Sequence, residues 1–303
     1  MRPLIIIRRI PNIDFMSWHR AGFIFSLILT LASLGLFATR GLNYGIDFSG
    51  GIEIKARSLE GPADLGAMRA TLNGLNLGEV ALQNFGTPED VLIRIPRQAG
   101  GEKAQEAAVA AVKGALGSKI DYRGTEVVGP KVGAELVRAG VLATVLALIA
   151  IAAYVWFRFE WPFGVGAMLS TLHDTITTVG LFSLLQIEFN LTTLAAILTI
   201  AGYSINDTVV IYDRVRETLR KYKTLDLPSL INKSLNETLS RTILTVSTVA
   251  LAVLALLIFG GEVLRGFSIA MLWGIVIGTY SSLFIAAPLL YYLLPRRGQE
   301  RDH

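Results

Sequence analysis

No cysteine occurs among the 303 residues, which excludes disulfides, thiolate metal sites and cysteine nucleophiles. Charge is scarce as well. Asp, Glu, Lys and Arg together make up 17%, against about 25% in ordinary soluble domains. The shortage is uneven, because long uncharged stretches alternate with ordinary polar sequence. That alternation describes a membrane protein carrying a soluble insert, and a 52% hydrophobic share excludes intrinsic disorder. Three histidines leave little material for a metal centre. The patterns HExxH, GxxxxGK[ST] and GxSxG are missing too, so covalent catalysis is not expected and no metal or organic cofactor is called for.

What the chain does have is long apolar runs. Six segments reach the roughly 20 residues that cross a bilayer: 21–38, 139–157, 161–185, 189–212, 242–261 and 267–294. The first lies behind Arg2, Arg8, Arg9 and Arg20, but its apolar core exceeds a signal peptide's and no A-x-A site follows, so it reads as a retained anchor. The last is long and is expected to tilt, or to kink at Pro288. The fold class read from this is a polytopic α-helical membrane protein with six transmembrane helices.

The basic residues orient it. Fifteen Lys and Arg fall on one side: the four just named, Arg158, Arg214, Arg216, Arg220, Lys221, Lys223, Lys233, Arg241, Arg296, Arg297 and Arg301. The opposite short loops supply Arg265 alone. The net charge of +4 is thus a topology signal, and no nucleic-acid partner is implied. The expected division is a cytoplasmic amino terminus (1–20), a first span (21–39), a translocated domain (40–135), a membrane domain (136–294) with a basic cytoplasmic loop at 213–241, and a cytoplasmic tail (295–303).

Within the insert, Ile52–Arg57 alternates in strand fashion, Pro62–Leu72 reads helical, and Val80–Phe85 and Val91–Ile95 are strands around a turn containing Pro88. Glu102–Leu116 is an alanine-rich helix stopped by Gly117, and Ile120–Val128 is a last strand. The order β-α-β-β-α-β predicts a ferredoxin-like α/β domain between spans one and two.

An ionisable side chain inside a span costs about 2.5–3.5 kcal/mol on insertion scales, so each one needs a reason. Span four contains Asp207, about six residues or ~9 Å inside its basic end. Tyr203 and Ser204, at i−4 and i−3, could hydrogen-bond to it, and Asn206 adjoins it. Span three contains His173 and Asp174, deeper by count. Two readings of Asp207 carry equal weight: a proton carrier, whose apolar surroundings penalise the charged form, or a packing hydrogen bond between helices. Arg241, opening span five, is within reach of it, or is simply a positive-inside flank. For His173 and Asp174 a polar contact pinning span three is favoured over a second relay or a metal pair. Gly274 and Gly278 form a GxxxG that permits close helix approach.

Several blocks together resemble the SecF family, the smaller half of the bacterial SecD–SecF secretion accessories, itself similar to the resistance-nodulation-division exporters. They are Gly45-Ile46-Asp47-Phe48-Ser49-Gly50-Gly51, Val128-Gly129-Pro130-Lys131-Val132-Gly133, and Gly202 through Val210 running into Asp213-Arg214-Val215-Arg216-Glu217. Asn236 through Thr242, Arg265-Gly266-Phe267 and Gly278 through Ser282 complete the set. Val246 departs from the serine expected after Arg-Thr-Ile-Leu-Thr. The resemblance implies that Asp207 and Arg241 are proton-pathway residues, with protons as the coupling ion. It implies SecD as heterodimer partner, the SecYEG channel, YajC and unfolded preprotein as further partners, and the bacterial inner membrane as location. The alternative is half of a proton-coupled small-molecule exporter, which would usually carry a second large insert; a third reading is a scaffold without transport. Gly45, Gly50 and Gly51 are expected to turn the backbone tightly where span becomes strand.

Overall fold

The computed structural model describes residues 11–295; Arg2, Arg8, Arg9, Arg296, Arg297 and Arg301 lie outside them. A long first helix, α1 (His19–Arg40), leads through a two-residue strand β1 (Asn43–Tyr44) and a one-turn helix α2 (Ile46–Ser49) into an α/β unit. That unit consists of β2 (Gly51–Ser58), α3 (Leu65–Asn73), β3 (Ala81–Phe85), β4 (Thr87–Ile95), α4 (Glu102–Leu116) and β5 (Ile120–Val128). The strands form one antiparallel sheet in the order β3-β4-β2-β5, with a register shift at Lys55/Ala56. Alternation sends Ile52, Ile54 and Ala56 of β2 and Val91, Ile93 and Ile95 of β4 to one face, where α3 and α4 cover them with Met68, Leu72, Ala108 and Val112. The α4 and β5 bounds match those read from sequence. The helix predicted at 62–72 starts three residues later, because Asp64 caps it by accepting from the Gly66 and Ala67 amides at 2.9 and 3.0 Å. The hairpin turn falls at Gly86, with φ of 86°, and Pro88 belongs to β4.

The remaining chain is helical: α5 (Pro130–Arg158), α6 (Trp161–Leu185), a short β6 (Glu188–Phe189), α7 (Leu191–Lys221), α8 (Leu227–Phe259), α9 (Gly261–Ser281) and α10 (Ala287–Leu293). A π-helical segment, Ser282–Ala286, joins the last two, so the distortion expected at Pro288 is a widened turn just before it. The basic stretch 213–241 is mostly helix as well, since α7 and α8 extend through it and only residues 222–226 connect them. Asp226 caps α8 by accepting from the Ser229 amide at 3.1 Å.

Five helical stretches among the described residues are long and apolar enough to cross a membrane: Met16–Arg40, Val132–Arg158, Leu191–Lys221, Leu227–Phe259 and Val263–Leu293. This is a helical membrane protein. The 25-residue α6 is long enough but not among the five; its apolar average is diluted by His173, Asp174 and a run of serines and threonines.

Gly50 and Gly51 adopt φ of 69° and 129°, which a β-carbon resists, and a Cβ at Gly51 would stand 2.7 Å from the Ile95 carbonyl oxygen. Gly45 has ordinary extended dihedrals. Its requirement is space, because a Cβ there would strike the Glu188 carboxylate.

Candidate functional site

Helix α7 runs through the bundle, packed against α6, α8 and α9. Its centre carries Tyr203 and Asp207 on one face, about 40° apart, with Ser204 and Asn206 turned to other sides, since successive residues turn by about 100°. The sequence reading pointed Tyr203 and Ser204 at Asp207. Tyr203 does share that face, without bonding to Asp207, whereas Ser204 turns away from it.

Ser204 is 1% exposed and donates to Asp174 Oδ2 at 2.5 Å, across the interface with α6. Residues three apart on a helix differ by about 60° in direction, enough to turn Ser204 toward α6 and α9 while Asp207 faces α8. Asp174 is wholly buried. Its Oδ2 also accepts from Ser281 of α9 at 2.7 Å, and its Oδ1 lies 3.0 Å from His173 Nδ1. Ser170 donates to Ser281 at 2.9 Å, and Thr208 meets Ser282 at 2.7 Å one turn further along. One carboxylate therefore gathers donors from three helices. This is the pinning contact favoured for span three, built from serines that no charge pattern could have flagged. Gly274 and Gly278 let α9 come this close: a Cβ at Gly278 would stand 3.1 Å from the Ser204 side chain. No group of three or more His, Asp or Glu side chains that could hold a metal occurs among the described residues.

Asp207 sits one helical turn from this node, about 4.5 Å along the axis, and is half-buried. Its Oδ1 accepts from Thr242 Oγ1 of α8 at 2.7 Å, while Oδ2 has no hydrogen-bond partner within the protein. The Tyr203 hydroxyl is likewise buried without a protein partner, close enough to feel the Asp207 charge. Arg241 is exposed and forms no ion pair with Asp207 within 4.0 Å; it acts on Asp207 through its charge alone. The direct partner is the next residue, Thr242, which sequence reasoning passed over. Its position opening span five opposite a buried acid was the available signal. Asn206 points out of the bundle, exposed. Val246 packs with Tyr203 around the apolar cluster of Phe182, Ile200 and Val253.

At the basic end of the bundle, Arg158 pairs with Asp213 at 2.9 Å, and Arg214 bridges Glu217 and Glu237. Asn232 and Asn236 of α8 clamp the segment before α1: Asn236 exchanges hydrogen bonds with the Ile13 backbone at 2.9 and 2.8 Å, and Asn232 accepts from the Met16 amide at 2.9 Å.

At the other end, β1 and β6 pair in parallel, Asn43 opposite Glu188 and Tyr44 opposite Phe189. Asp47 Oδ2 accepts from the Leu191 amide at 2.9 Å, and Asn190 with Thr193 forms a capping box, so the α7 amino terminus is tied to the neck of the insert. Arg94 of β4 bonds to Glu53 of β2 at 3.1 Å and to Glu188 of β6.

Comparison with known proteins agrees with this architecture. Residues 108–296 match the family described as protein export membrane protein SecD/SecF, C-terminal, and residues 35–57 match the SecD/SecF GG motif. The protein translocase subunit SecF of Rickettsia rickettsii (strain Sheila Smith) is 47% identical over 298 residues, covering 96% of both chains. That of Rickettsia prowazekii (strain Madrid E) is 45% identical, over 96% of this chain and 95% of the relative. The crystal structure of SecDF from Thermus thermophilus superposes with a TM-score of 0.83 at 35% identity, over 93% of this chain. A second SecDF structure, in a super-membrane-facing form, matches with a TM-score of 0.69 at the same identity and coverage. This chain spans 38% and 39% of those two longer chains. Matched by the family over most of its membrane helices and by curated subunits almost end to end, the chain belongs to the SecF family of protein translocase subunits and serves protein export.

Proposed function

We propose that this subunit pairs with SecD and uses the proton motive force to promote late, exported-side steps of preprotein movement, with Asp207 as the proton carrier. One observation carries the reading: a half-buried carboxyl on α7 is bridged to α8 by the Thr242 hydroxyl alone, with its second oxygen unpaired and Arg241 beside it. Charged, Asp207 accepts from Thr242 and attracts Arg241. Protonated, it loses the attraction, and α7 and α8 are freed to repack. Each charge crossing the field yields about 2.3 kcal/mol per 100 mV, more than one such hydrogen bond is worth.

The finer topology follows the same reading. Six spans cross the bacterial inner membrane, with α6 as the sixth, enclosed by its neighbours so that its polar residues avoid lipid. Both termini are cytoplasmic, and the insert is a periplasmic, ferredoxin-like domain, supported by the β-α-β-β-α-β order and the β3-β4-β2-β5 sheet. SecD is the partner that covers the outward face of α7, where Thr199, Gly202 and Asn206 are exposed at the depth of the bilayer. An amide turned to lipid is costly, and small residues admit a close second helix. The SecYEG channel, YajC and unfolded preprotein complete the assembly. The work needs no cofactor beyond the proton and no covalent chemistry.

The test is translocation by the reconstituted complex with Asp207→Asn. The variant is expected to translocate at the rate seen without a gradient, whether or not one is applied. Full stimulation by the gradient would remove Asp207 from the mechanism.

A further inference from the structure

The soluble domain does not lie flush on the membrane helices. A cleft of about 580 Å³ separates the sheet face that carries Glu53, Lys55 and Leu92 from the α6–α7 connection and the start of α9. Across it reaches Arg94. Its side chain is 16% exposed, and the guanidinium is held between Glu53 of the neighbouring strand and Glu188 of β6. The sheet's other face is filled by α3 and α4, so Arg94 is not needed to build the domain's core.

Glu188 stands three residues before the first turn of α7, with the Asn190 capping box between them. From Leu191 to Lys221, α7 is one unbroken α-helix. It contains no proline and no widened turn, the usual causes of a kink. A displacement at Asp207 is therefore carried rigidly to Leu191, about 24 Å away along the axis and three residues from Glu188. At that end the helix meets the neck of the insert through β1 and Asp47, but it meets the sheet itself through Arg94.

We propose that Arg94 and Glu188 form the transmitting contact, an ion pair that passes movement of α7 to the soluble domain, with the cleft as the space in which the domain swings. Both are positioning residues, and the proposal rests on the proton reading of Asp207. An ion pair suits the task because it is partly buried, and hence not fully screened, yet has no interlocked apolar surface to tear apart when the domain moves.

The test uses the complex with SecD, reconstituted in vesicles, and compares translocation with and without a proton gradient. Glu188→Gln keeps the side-chain shape and removes the charge. It is expected to cut the gradient-stimulated part about tenfold, the factor that ~1.4 kcal/mol of coupling carries, and to leave gradient-independent translocation unchanged. Glu188→Arg, which opposes two cations, should fall further, and Glu188→Asp should retain half or more. Arg94→Gln should match Glu188→Gln, and the double variant should be no worse than either single one, as two halves of one contact require. Asp207→Asn is measured beside them. If it loses the gradient response while Glu188→Gln keeps it within twofold, the transmitting role is overturned and the proton reading stands. If Asp207→Asn keeps the response, the proton reading fails and this proposal with it. A loss that is equal for Gln, Arg and Asp at position 188 would make shape, not charge, the requirement, and overturns the ion-pair role.

Discussion

The soluble domain and the helical bundle both bury apolar clusters, but they differ in how many polar groups they bury with them. In the domain the interior is Ile52, Ile54, Leu72, Val91, Ile93 and Val112, all 0–1% exposed, and Glu53 and Gln105 are its few buried polar residues. In the bundle Ser170, Asp174, Thr178, Ser183, Ser268, Ser281 and Ser282 are wholly buried, whereas Leu251, Leu254, Ile258 and Phe259 of α8 face outward. The difference follows from the solvent. Water drives apolar side chains inward at about 25 cal/mol per Å². Lipid is as apolar as leucine, so helices there associate through close packing and hydrogen bonds, and polar side chains end up inside. An interior of hydroxyls around one acid can exchange donors with little change in packed volume. An interior of branched hydrocarbon cannot. The switch belongs in the first and the rigid element in the second.

That contrast can be broken from the domain side with the largest effect. Ile54→Ala should destabilise the α/β unit by about 2–5 kcal/mol, the range for truncating buried aliphatics. Hydrogen exchange of the sheet amides in the full chain would read it, and Leu254→Ala on the outer face of α8 should change stability by less than about 0.5 kcal/mol. Next comes the bundle. Asp174→Ala strips an acceptor from Ser204, Ser281 and His173; at about 0.6 kcal/mol per interhelical bond the loss is about 2 kcal/mol, read as a lower unfolding midpoint in detergent. Asp174→Asn, which keeps an acceptor, should lose less. Asp64→Ala removes the α3 cap and should cost about 1 kcal/mol, confined to the soluble domain.

The smallest effect is electrostatic. Arg57 donates to both oxygens of Asp90, and this hydrogen bonding holds the Asp90 carboxyl below the ordinary aspartate range. A depressed folded value means the pair stabilises the domain above the unfolded value of about 3.9 and ceases to do so as pH falls through the folded one. Asp90→Asn should therefore lower the domain's melting temperature slightly at neutral pH, and the gap from wild type should close in strong acid.

Sequence made the soluble domain legible almost residue by residue, because strand alternation and glycine stops are local signals. Ile52, Ile54 and Ala56 announce a face, and Gly117 ends α4 where expected. The membrane residues were legible as exceptions: a charge in an apolar run has to be explained, so Asp207, Asp174 and His173 stood out. Their partners did not. Serine and threonine cost little to insert, so nothing marks Ser281 until the helices are packed, and Thr242 is marked only by its place at the start of span five. Direction was misread as well. Ser204 neighbours Asp207 along the helix, but the interface it meets depends on where α6 and α8 lie, which spacing alone leaves open. Gly45 was assigned to a turn on the strength of its neighbours, whereas its role is to make room for Glu188.

The widened turn at Ser282–Ala286 holds one residue more than an α-helical turn would. Deleting a single residue there would restore regular winding and spin everything beyond it by about 100°. Ala287 and Leu290 would be carried out of the hydrocarbon cluster, and the Ala286 carbonyl away from the Tyr212 hydroxyl. The same deletion in the middle of α8, which has mostly outward-facing leucines to misplace, would be far better tolerated. A scan of one-residue deletions along the last helix would thus find a sharp minimum in function at a place with no charged side chain, marking a joint whose winding is itself the requirement.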